Sequence, residues 1–382
     1  MADFSFKVSP NILLGSYSAS RIGSSLLSYG TKFMVILDPI LRENGTSEKI
    51  TKALDDKKIN YFLFDELSAA GDSEILGRCL KLAREAHIHG VIAVGGGKPI
   101  SIARATCALY NEIHDLYDFL DGSIPQTAPL PLICIPTTIR DAFVFTDTIP
   151  LVDARSSTLK LLKAQHGISK LVLFDPTLTA TLTENQIDSM SLETLCLATE
   201  SYLSQRENFF SDMMAEKAVE ILGYALEGSQ TLTITTPKEE LLSEGGCMAS
   251  LAAATSSVGI ASLLSMCINA RYKISRSLVT TILFPYMVEE CAKFKADRVA
   301  ELAKKMNIAQ SEQSNEDAAK AFAEYIRQKI AKANLPARIK DLSISLEQLA
   351  LAAEDAGQLD IVHSLPRSMN SDDLFAMIKT AF

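Results

Sequence analysis

The sequence lacks the marks of several protein classes. It has no apolar run of about 18 residues, the length that a membrane-spanning helix needs, so we expect no membrane partner. Asp and Glu (46) outnumber Lys and Arg (37), and the net charge of -9 argues against a nucleic-acid binder, which needs a basic face. Residues 1–10 have no apolar segment of the kind found in signal peptides. Seven scattered cysteines without a Cys-x-x-Cys pair suit reduced thiols, so we expect a cytoplasmic protein.

What the sequence does contain favours two domains. Its 382 residues and 47% apolar content supply material for two cores. In the first half, short apolar runs alternate with helix-like segments, which predicts a parallel sheet with helices on both faces. The predicted strands are 33–37, 61–64, 91–94, 130–135 and 171–174, the predicted helices are 18–29, 46–57 and 73–87, and a hairpin is predicted within 143–162.

The character of the chain changes after Asp175-Pro176. From about Glu184 onward, glycine and proline are sparse, and apolar residues recur at the i, i+3, i+4 spacing of helices with one buried face. Predicted helices include a nearly charge-free one at 248–266 and amphipathic ones at 290–306 and 315–333. The sequence therefore predicts an α/β domain over residues 1–180, followed by an all-α domain over residues 181–382.

Three consecutive glycines, Gly95, Gly96 and Gly97, follow the predicted strand 91–94 and precede a predicted helix. Glycine lets the backbone approach an anion closely, and the free N–H groups of a first helical turn then bind that anion, aided by the helix dipole. Lys98 adds a full positive charge at the same place. The arrangement favours a nucleotide cofactor over its alternative, a plain glycine-rich turn, but it does not name a reaction.

Two further segments favour the same cofactor. Asp38 follows the strand 33–37, where a carboxylate can accept hydrogen bonds from ribose hydroxyls and would repel a 2′-phosphate, so NAD is favoured over NADP. Its alternative role is to begin a turn before Pro39. Thr137 and Thr138 follow another predicted strand, where threonine hydroxyls can bond to phosphate or ribose.

Together these residues resemble the iron-containing alcohol dehydrogenase and glycerol dehydrogenase superfamily. The matching elements are 11–15, Asp38, 95–98, 136–138, 175–176, 198–204, Asn208, Ser211, Asp212, 282–285 and 365–367. The resemblance implies a Rossmann-like domain and a helical domain of the dehydroquinate synthase-like fold, with NAD(P) along the glycine-rich edge and a homo-oligomeric assembly. It also implies a substrate contact for Asp141, whose alternative role is to cap a turn.

The chain departs from this family in the helical domain. Relatives usually bind one divalent metal through an Asp and two His, and the matching positions here are Glu193, Leu197, Ser262 (or Ser265 in a shifted register) and Arg276. None of the five histidines lies between residues 190 and 290. A carboxylate and a serine would hold a divalent cation weakly, so we expect no metal ligands. In the helix after the glycines, Ser101 and Arg104 stand where glycerol dehydrogenases usually carry Asp and Lys.

Two interpretations of Glu193 and Arg276 follow. In one, Arg276 stabilises negative charge on a substrate oxygen and Glu193 orients it; in the other, they form a structural ion pair. Because a guanidinium does not readily give up a proton, a separate acid is needed, from Tyr202, Tyr272 or a chain of waters. Residues 269–276 carry three positive charges, which favours an anionic substrate if they line the substrate site and says nothing if they form a surface turn.

Three functions fit these observations. The favoured one is an NAD-dependent dehydrogenase or reductase acting on a small polar alcohol or carbonyl, with a degenerate metal site. The second is a non-catalytic relative that keeps the nucleotide pocket. The third is a lyase related to 3-dehydroquinate synthase, which needs metal-binding histidines and a longer glycine loop that this chain lacks.

Overall fold

The structure is a computed structural model that describes residues 10–67, 72–165, 167–179, 182–227 and 236–382. It contains two compact units, one of Val8–Thr181 and one that includes Leu182–Phe382. The domain boundary predicted at residue 180 falls outside the described residues, and so do residues 1–9, where we expect no signal peptide.

The first unit is built on a six-stranded parallel sheet. Its strands are β1 (Asn11–Leu14), β2 (Lys32–Leu37), β3 (Asn60–Phe64), β4 (Gly90–Gly95), β5 (Leu132–Pro136) and β8 (Ser169–Phe174). The strand order is β1-β8-β5-β4-β2-β3, and every pairing is parallel. The five predicted strands are confirmed, with differences only at their ends. The sequence did not predict β1, because this strand is short and all four of its residues are exposed.

Helices cover the sheet because its central strands are apolar on both faces. The helices of this unit are α1 (Gly23–Leu26), α2 (Ile40–Glu43), α3 (Thr46–Asp55), α4 (Asp72–Glu85), α5 (Gly97–Leu109), α6 (Leu116–Leu120) and α7 (Pro176–Thr179). On β2, Val35 packs in a core with Ile22 and Ile50 from helical segments, while Met34 and Ile36, which point to the opposite face, are also fully buried. The predicted helix 18–29 is wrong as one element, since a short 3₁₀ turn at Ala19–Arg21 precedes α1.

The strand order places a reversal of direction next to the glycines. From β2 the chain moves to β3 on one side, and then crosses to β4 on the other side of β2. In open parallel sheets, ligands bind outside the carboxyl ends of the strands at such a point. Asp38 follows β2 and Gly95 ends β4, so both lie at this edge of the sheet.

The predicted hairpin is also confirmed. The strands β6 (Thr148–Asp153) and β7 (Thr158–Lys163) pair in antiparallel fashion, apart from the main sheet. Strand β6 contacts α4 and α5, the helix that begins at the glycines.

The second unit is helical in all its regular elements among the described residues, as predicted. Its helices are α8 (Glu184–Leu203), α9 (Phe209–Glu227), α10 (Lys238–Thr255), α11 (Ile260–Tyr272), α12 (Arg276–Lys305), α13 (Asn315–Lys332), α14 (Leu346–Gly357) and α15 (Ser371–Ala381). The predicted single helix 248–266 is wrong, because the chain bends by 94° between α10 and α11. The break contains Ser256, Ser257 and Gly259, and the extended backbone of Gly259 precedes the first residue of α11.

Within the described residues, no single helix is long and apolar enough to cross a membrane. Counted together, the bent pair of α10 and α11 has the length and apolar composition of a membrane span, but helices buried in a protein core can have them too.

Candidate functional site

The glycine turn joins β4 to α5 in a conformation that excludes other residues at Gly95. This glycine has φ +140°, and a Cβ placed on it would lie 2.3 Å from the Asp38 carboxylate oxygen Oδ2. Gly96 is the N-cap residue of α5, and as a glycine it has no side chain with which to cap the helix. The N-terminus of α5 therefore presents its positive dipole end at the glycine turn, where an anion would be stabilised.

Asp38 holds the turn in place. Its Oδ2 accepts a hydrogen bond from the Gly96 N–H at 2.8 Å, and its own N–H donates to the Val94 carbonyl at 3.2 Å. Burial raises the pKa of Asp38, while the Gly96 N–H and the charge of Lys98 act in the opposite direction. The sequence placed Asp38 at this edge but did not show its bond to Gly96, because the two residues are 58 positions apart.

Lys98 lies in the first turn of α5, and its charge is partly balanced by Asp72. The Lys98 Nζ is 3.3 Å from Asp72 Oδ1, and Asp72 Oδ2 accepts from the Val152 N–H on β6 at 2.9 Å. This contact links the glycine turn with the hairpin.

The structure also brings Thr137 and Thr138 to the glycine turn. The Thr137 N–H donates to the Gly95 carbonyl at 3.0 Å, and a Cβ on Gly96 would lie 3.3 Å from Thr138 Cγ2. The Thr138 hydroxyl donates to the Arg140 carbonyl at 2.9 Å. The proposed cofactor residues thus form one cluster, at the carboxyl ends of β2, β4 and β5.

Asp141 adopts the turn-capping arrangement that the sequence left open. Its Oδ1 accepts hydrogen bonds from the N–H groups of Phe143 and Val144, each at 2.9 Å. The residue is only 5% exposed. Asp141 therefore shapes the segment that follows Thr138, whatever its contact with substrate.

In the helical unit, Glu193 on α8 lies against the first turn of α12, which begins at Arg276. The Glu193 carboxylate is almost fully buried, and its Oε2 accepts a hydrogen bond from the Ser277 hydroxyl at 2.6 Å. The structure thus places Glu193 beside the residue that follows Arg276.

The residues at the family's metal positions do not fit a divalent cation. Leu197 offers no donor, and Ser262 lies at the start of α11, with its N–H donating to Glu200 Oε1 at 3.0 Å. The alternative, Ser265, uses its hydroxyl on the Ser262 carbonyl. Among the described residues there is no group of three or more His, Cys, Asp or Glu side chains that could hold a metal ion. One carboxylate, a hydroxyl and a guanidinium are an unsuitable donor set.

Glu200 is a buried residue that sequence reasoning did not single out. Its side chain is fully buried, and it accepts from backbone N–H groups at the start of α11. Burial raises its pKa, and those hydrogen bonds oppose the shift. The one sequence feature related to this contact is Gly259, since a Cβ at that position would lie 2.7 Å from Glu200 Cγ.

The two tyrosines suggested as proton donors are engaged elsewhere. The Tyr202 hydroxyl donates to Glu301 Oε2 at 2.5 Å, and the Tyr272 hydroxyl donates to the Gln348 carbonyl at 2.8 Å. Burial and Glu301 raise the pKa of Tyr202. The structure therefore does not support either tyrosine as the acid.

Part of the positive charge in the segment 269–276 is already paired within the protein, so less of it is available to an anionic substrate. Arg271 forms an ion pair with Asp355, with Nη2 donating to Oδ1 at 2.8 Å. Lys273 is an exposed C-cap residue of α11 in the left-handed conformation, with φ 58°. Arg271 is thus committed to a structural contact, which weakens the argument for an anionic substrate from this segment.

Comparison with known proteins places the chain in a family. Residues 9–176 match the iron-containing alcohol dehydrogenase model, and residues 187–382 match the C-terminal model of the same Fe-containing family. The chain belongs to the iron-containing alcohol dehydrogenase family, which supports an oxidoreductase of the alcohol dehydrogenase type.

Relatives match over most of their length at low identity. The probable alcohol dehydrogenase EutG of Escherichia coli K12 is 24% identical over 98% of this chain and 94% of its own. The lactaldehyde reductase of E. coli K12 is 22% identical over 92% of both chains.

Solved structures share the fold. That of 1,3-propanediol oxidoreductase has a TM-score of 0.92 and 20% identity over 100% of both chains. Sulfoacetaldehyde reductase from Bifidobacterium kashiwanohense, solved in complex with NAD+, has a TM-score of 0.85 and 17% identity over 100% of this chain and 99% of its own.

Proposed function

We propose that the chain is an NAD-dependent oxidoreductase that interconverts a small polar alcohol and its carbonyl compound. The observation that carries this proposal is the glycine turn at the N-terminus of α5, which Asp38 holds at the reversal point of the sheet. Relatives named for lactaldehyde and 1,3-propanediol support the substrate class, and the relative solved with NAD+ supports the cofactor.

The residues present fit a dinucleotide. The glycine turn and the first turn of α5 would bind the pyrophosphate, with Thr137 and Thr138 at its side. Asp38 Oδ1 has no hydrogen-bond partner among the described residues, so it can accept from a ribose hydroxyl while Oδ2 holds Gly96. Its charge disfavours a 2′-phosphate, which makes NADP the poorer ligand. When bound, the reduced cofactor supplies the hydride.

In the helical unit, Arg276 would stabilise the negative charge that develops on the substrate oxygen. A guanidinium keeps its charge at any physiological pH, so it can serve this purpose without a metal. Glu193 would orient the first turn of α12 through its bond with Ser277. Since the hydroxyls of Tyr202 and Tyr272 have other partners, we propose that water delivers the proton.

Further proposals concern the substrate, the partners, the location and the assembly of the chain. We propose a small-molecule substrate, anionic only if Arg276 also binds its acidic group, and neither a nucleic-acid nor a membrane partner. We further propose a cytoplasmic homo-oligomer.

The test begins with cofactor binding. NADH fluorescence titration of the unmutated chain should give saturable binding, and Gly96→Val should abolish it, because the β-branched side chain would meet Thr138. Gly77→Ala is the control: its Cβ would meet only Leu116, at 3.4 Å, so binding should persist. Binding that survives Gly96→Val would contradict the proposed pocket.

Turnover separates an enzyme from a binding protein. NADH oxidation should be followed with a panel of aldehydes, hydroxyketones and phosphorylated ketones, with and without a chelator. We expect turnover that the chelator leaves unchanged and that Arg276→Leu lowers by about a hundredfold, the usual cost of removing an oxyanion donor. NADH binding without turnover of any compound would favour the non-catalytic alternative, and activity lost on chelation would contradict the metal-free site.

A further inference from the structure

Arg104 is a buried cation in the helix that begins at the glycine turn. It lies on α5, two turns after Gly97, and is 2% exposed. A buried guanidinium is costly unless its donors and charge are matched, so its partners show what it does.

The partners of Arg104 lie at the start of the hairpin. Its Nη1 donates to the Thr148 carbonyl at 3.0 Å, and its Nη2 donates to the Thr146 carbonyl. Burial lowers the pKa of Arg104, and the charges of Asp141 and Asp147 oppose that shift. The guanidinium is thus bonded to backbone carbonyls of the segment 141–148.

The chain from Thr137 to Thr148, which contains this segment, is bonded to the glycine turn at one end and to α5 at the other. At one end, the Thr137 N–H donates to the Gly95 carbonyl at 3.0 Å. At the other, Arg104 connects α5 to residues 146 and 148. Between the two ties lies Asp141, whose carboxylate holds the N–H groups of residues 143 and 144.

We propose that Arg104 is a positioning residue: it fixes the segment 141–148, and with it Asp141, relative to the glycine turn. The inference rests on the proposed function for its consequence, since Asp141 is the residue of this segment expected to contact substrate. A reaction between a cofactor and a substrate held by two separate segments requires that their relative position be fixed to a fraction of an ångström.

The direct test is amide hydrogen exchange, which needs no substrate. Arg104→Met keeps the apolar stem and removes the donors, so exchange over residues 141–148 should accelerate by about tenfold or more, while β4 and β5 keep their protection. Arg104→Lys keeps the charge and one possible bond, so its exchange rate over residues 141–148 should lie between those of the unmutated chain and Arg104→Met. It replaces the Met variant if that variant does not fold. Uniform acceleration across the unit, or none, would overturn the proposal.

Arg84 provides a matched control, since it is also an arginine that donates to backbone carbonyls at α5. It bonds to the carbonyls of Leu109, Tyr110 and Glu112, at and just beyond the opposite end of that helix. Arg84→Met should accelerate exchange near 109–112 and leave 141–148 unchanged. If exchange over residues 141–148 also accelerated in this control, any loosening of α5 would produce the effect, and the specific role of Arg104 would be overturned.

Kinetics then test the functional consequence. In Arg104→Met, kcat/KM for the carbonyl substrate should fall about tenfold or more, whereas the NADH dissociation constant should change less than about threefold. In the Asp141→Ala background, Arg104→Met should cost less than about twofold, because both changes act through one group. Additive effects would overturn a role through Asp141. If the proposed function itself is wrong, the unmutated chain will not bind NADH. The hydrogen-exchange result does not depend on that outcome.

Discussion

In the proposed function, the Asp38 carboxylate has two tasks. One oxygen accepts from the Gly96 N–H, which secures the glycine turn, and in the proposed function the other would accept from a ribose hydroxyl. Its negative charge would also decide between NAD and NADP, because a 2′-phosphate would lie beside it. The two tasks can be separated, since an amide oxygen could still accept from Gly96.

We predict that Asp38→Asn improves NADPH binding by about tenfold relative to NADH, because the repulsion disappears while the turn persists. In the unmutated chain, the preference for NADH should weaken as the pH falls through the Asp38 pKa, which burial raises above its usual range. The variant should show no such pH dependence. Dissociation constants for both cofactors, measured by fluorescence across a pH series, check both points.

Glu48→Gln, an exposed change on α3, serves as the control for lost charge alone and should leave the preference unaltered. If Asp38→Asn kept the full preference for NADH at every pH, Asp38 would have no part in discrimination.

At single residues, the sequence was informative about which side chains cluster and uninformative about what they bond to. Asp38, Gly95 and Thr137 were predictable because each lies at the end of a buried strand, and parallel strands bring their carboxyl ends to one edge. The Asp38–Gly96 and Glu193–Ser277 bonds were not predictable, since they depend on side-chain geometry across long separations.

Among the elements, α11 begins at a buried carboxylate. Glu200, on α8, accepts from the Ser262 N–H at 3.0 Å, and its Oε2 is buried without a hydrogen-bond partner among the described residues. A carboxylate at a helix N-terminus satisfies donors that would otherwise be unpaired. Glu200 therefore links α8 to α11 across the bend that follows α10.

We predict that Glu200→Ala destabilises the chain by roughly 1–3 kcal/mol at neutral pH, because it leaves the buried Ser262 N–H unsatisfied. Glu200→Gln keeps an acceptor and should behave differently with pH. Burial raises the folded-state pKa of Glu200 above its unfolded value. The contribution of Glu200 to the free energy of unfolding is thus fully present below the unfolded-state pKa and is lost as the pH rises through the folded-state pKa. The Glu200→Gln variant should therefore gain stability relative to the unmutated chain as the pH rises.

Urea unfolding from mildly acidic to alkaline pH measures this trend. Glu324→Gln on α13, which removes an exposed carboxylate, should show no comparable pH dependence relative to the unmutated chain. If the difference in unfolding free energy between the unmutated chain and Glu200→Gln stayed constant with pH, Glu200 would titrate normally in the fold.

The elements themselves were largely predictable, and the failures have physical causes. Buried parallel strands are continuously apolar, so their signal is strong, whereas the exposed four-residue β1 gives none. The 248–266 prediction missed the break because Ser256 and Gly259 sit in a charge-free run of small and apolar residues that contains several other serines. Only the packing of Glu200 against Gly259 reveals why the chain turns there.

At the scale of the whole molecule, the edge of the sheet formed by β1 exposes apolar side chains. Among the described residues, β1 pairs only with β8, and its Ile12, Leu13 and Leu14 are 38%, 39% and 36% exposed. Edge strands of monomers usually carry charges or are covered, because open backbone groups invite pairing with another chain. Tyr17, 68% exposed, follows shortly after the strand.

We propose that a second copy of the chain covers this edge, because a two-fold axis would pair one uncharged edge with itself. We predict that the protein sediments as a homo-oligomer and that Leu13→Lys shifts it toward the monomer, since two lysines would face each other across the axis. Leu351→Lys, an equally polar change at an exposed leucine on α14, should leave the sedimentation coefficient unchanged. Because four residues bury far less than the roughly 800 Å² per partner of a stable interface, neighbouring surface such as Tyr17 must join the contact, and Tyr17→Ala should weaken the assembly as well. A monomeric unmutated chain, or an oligomer indifferent to lysine at position 13, would place the assembly elsewhere or remove it.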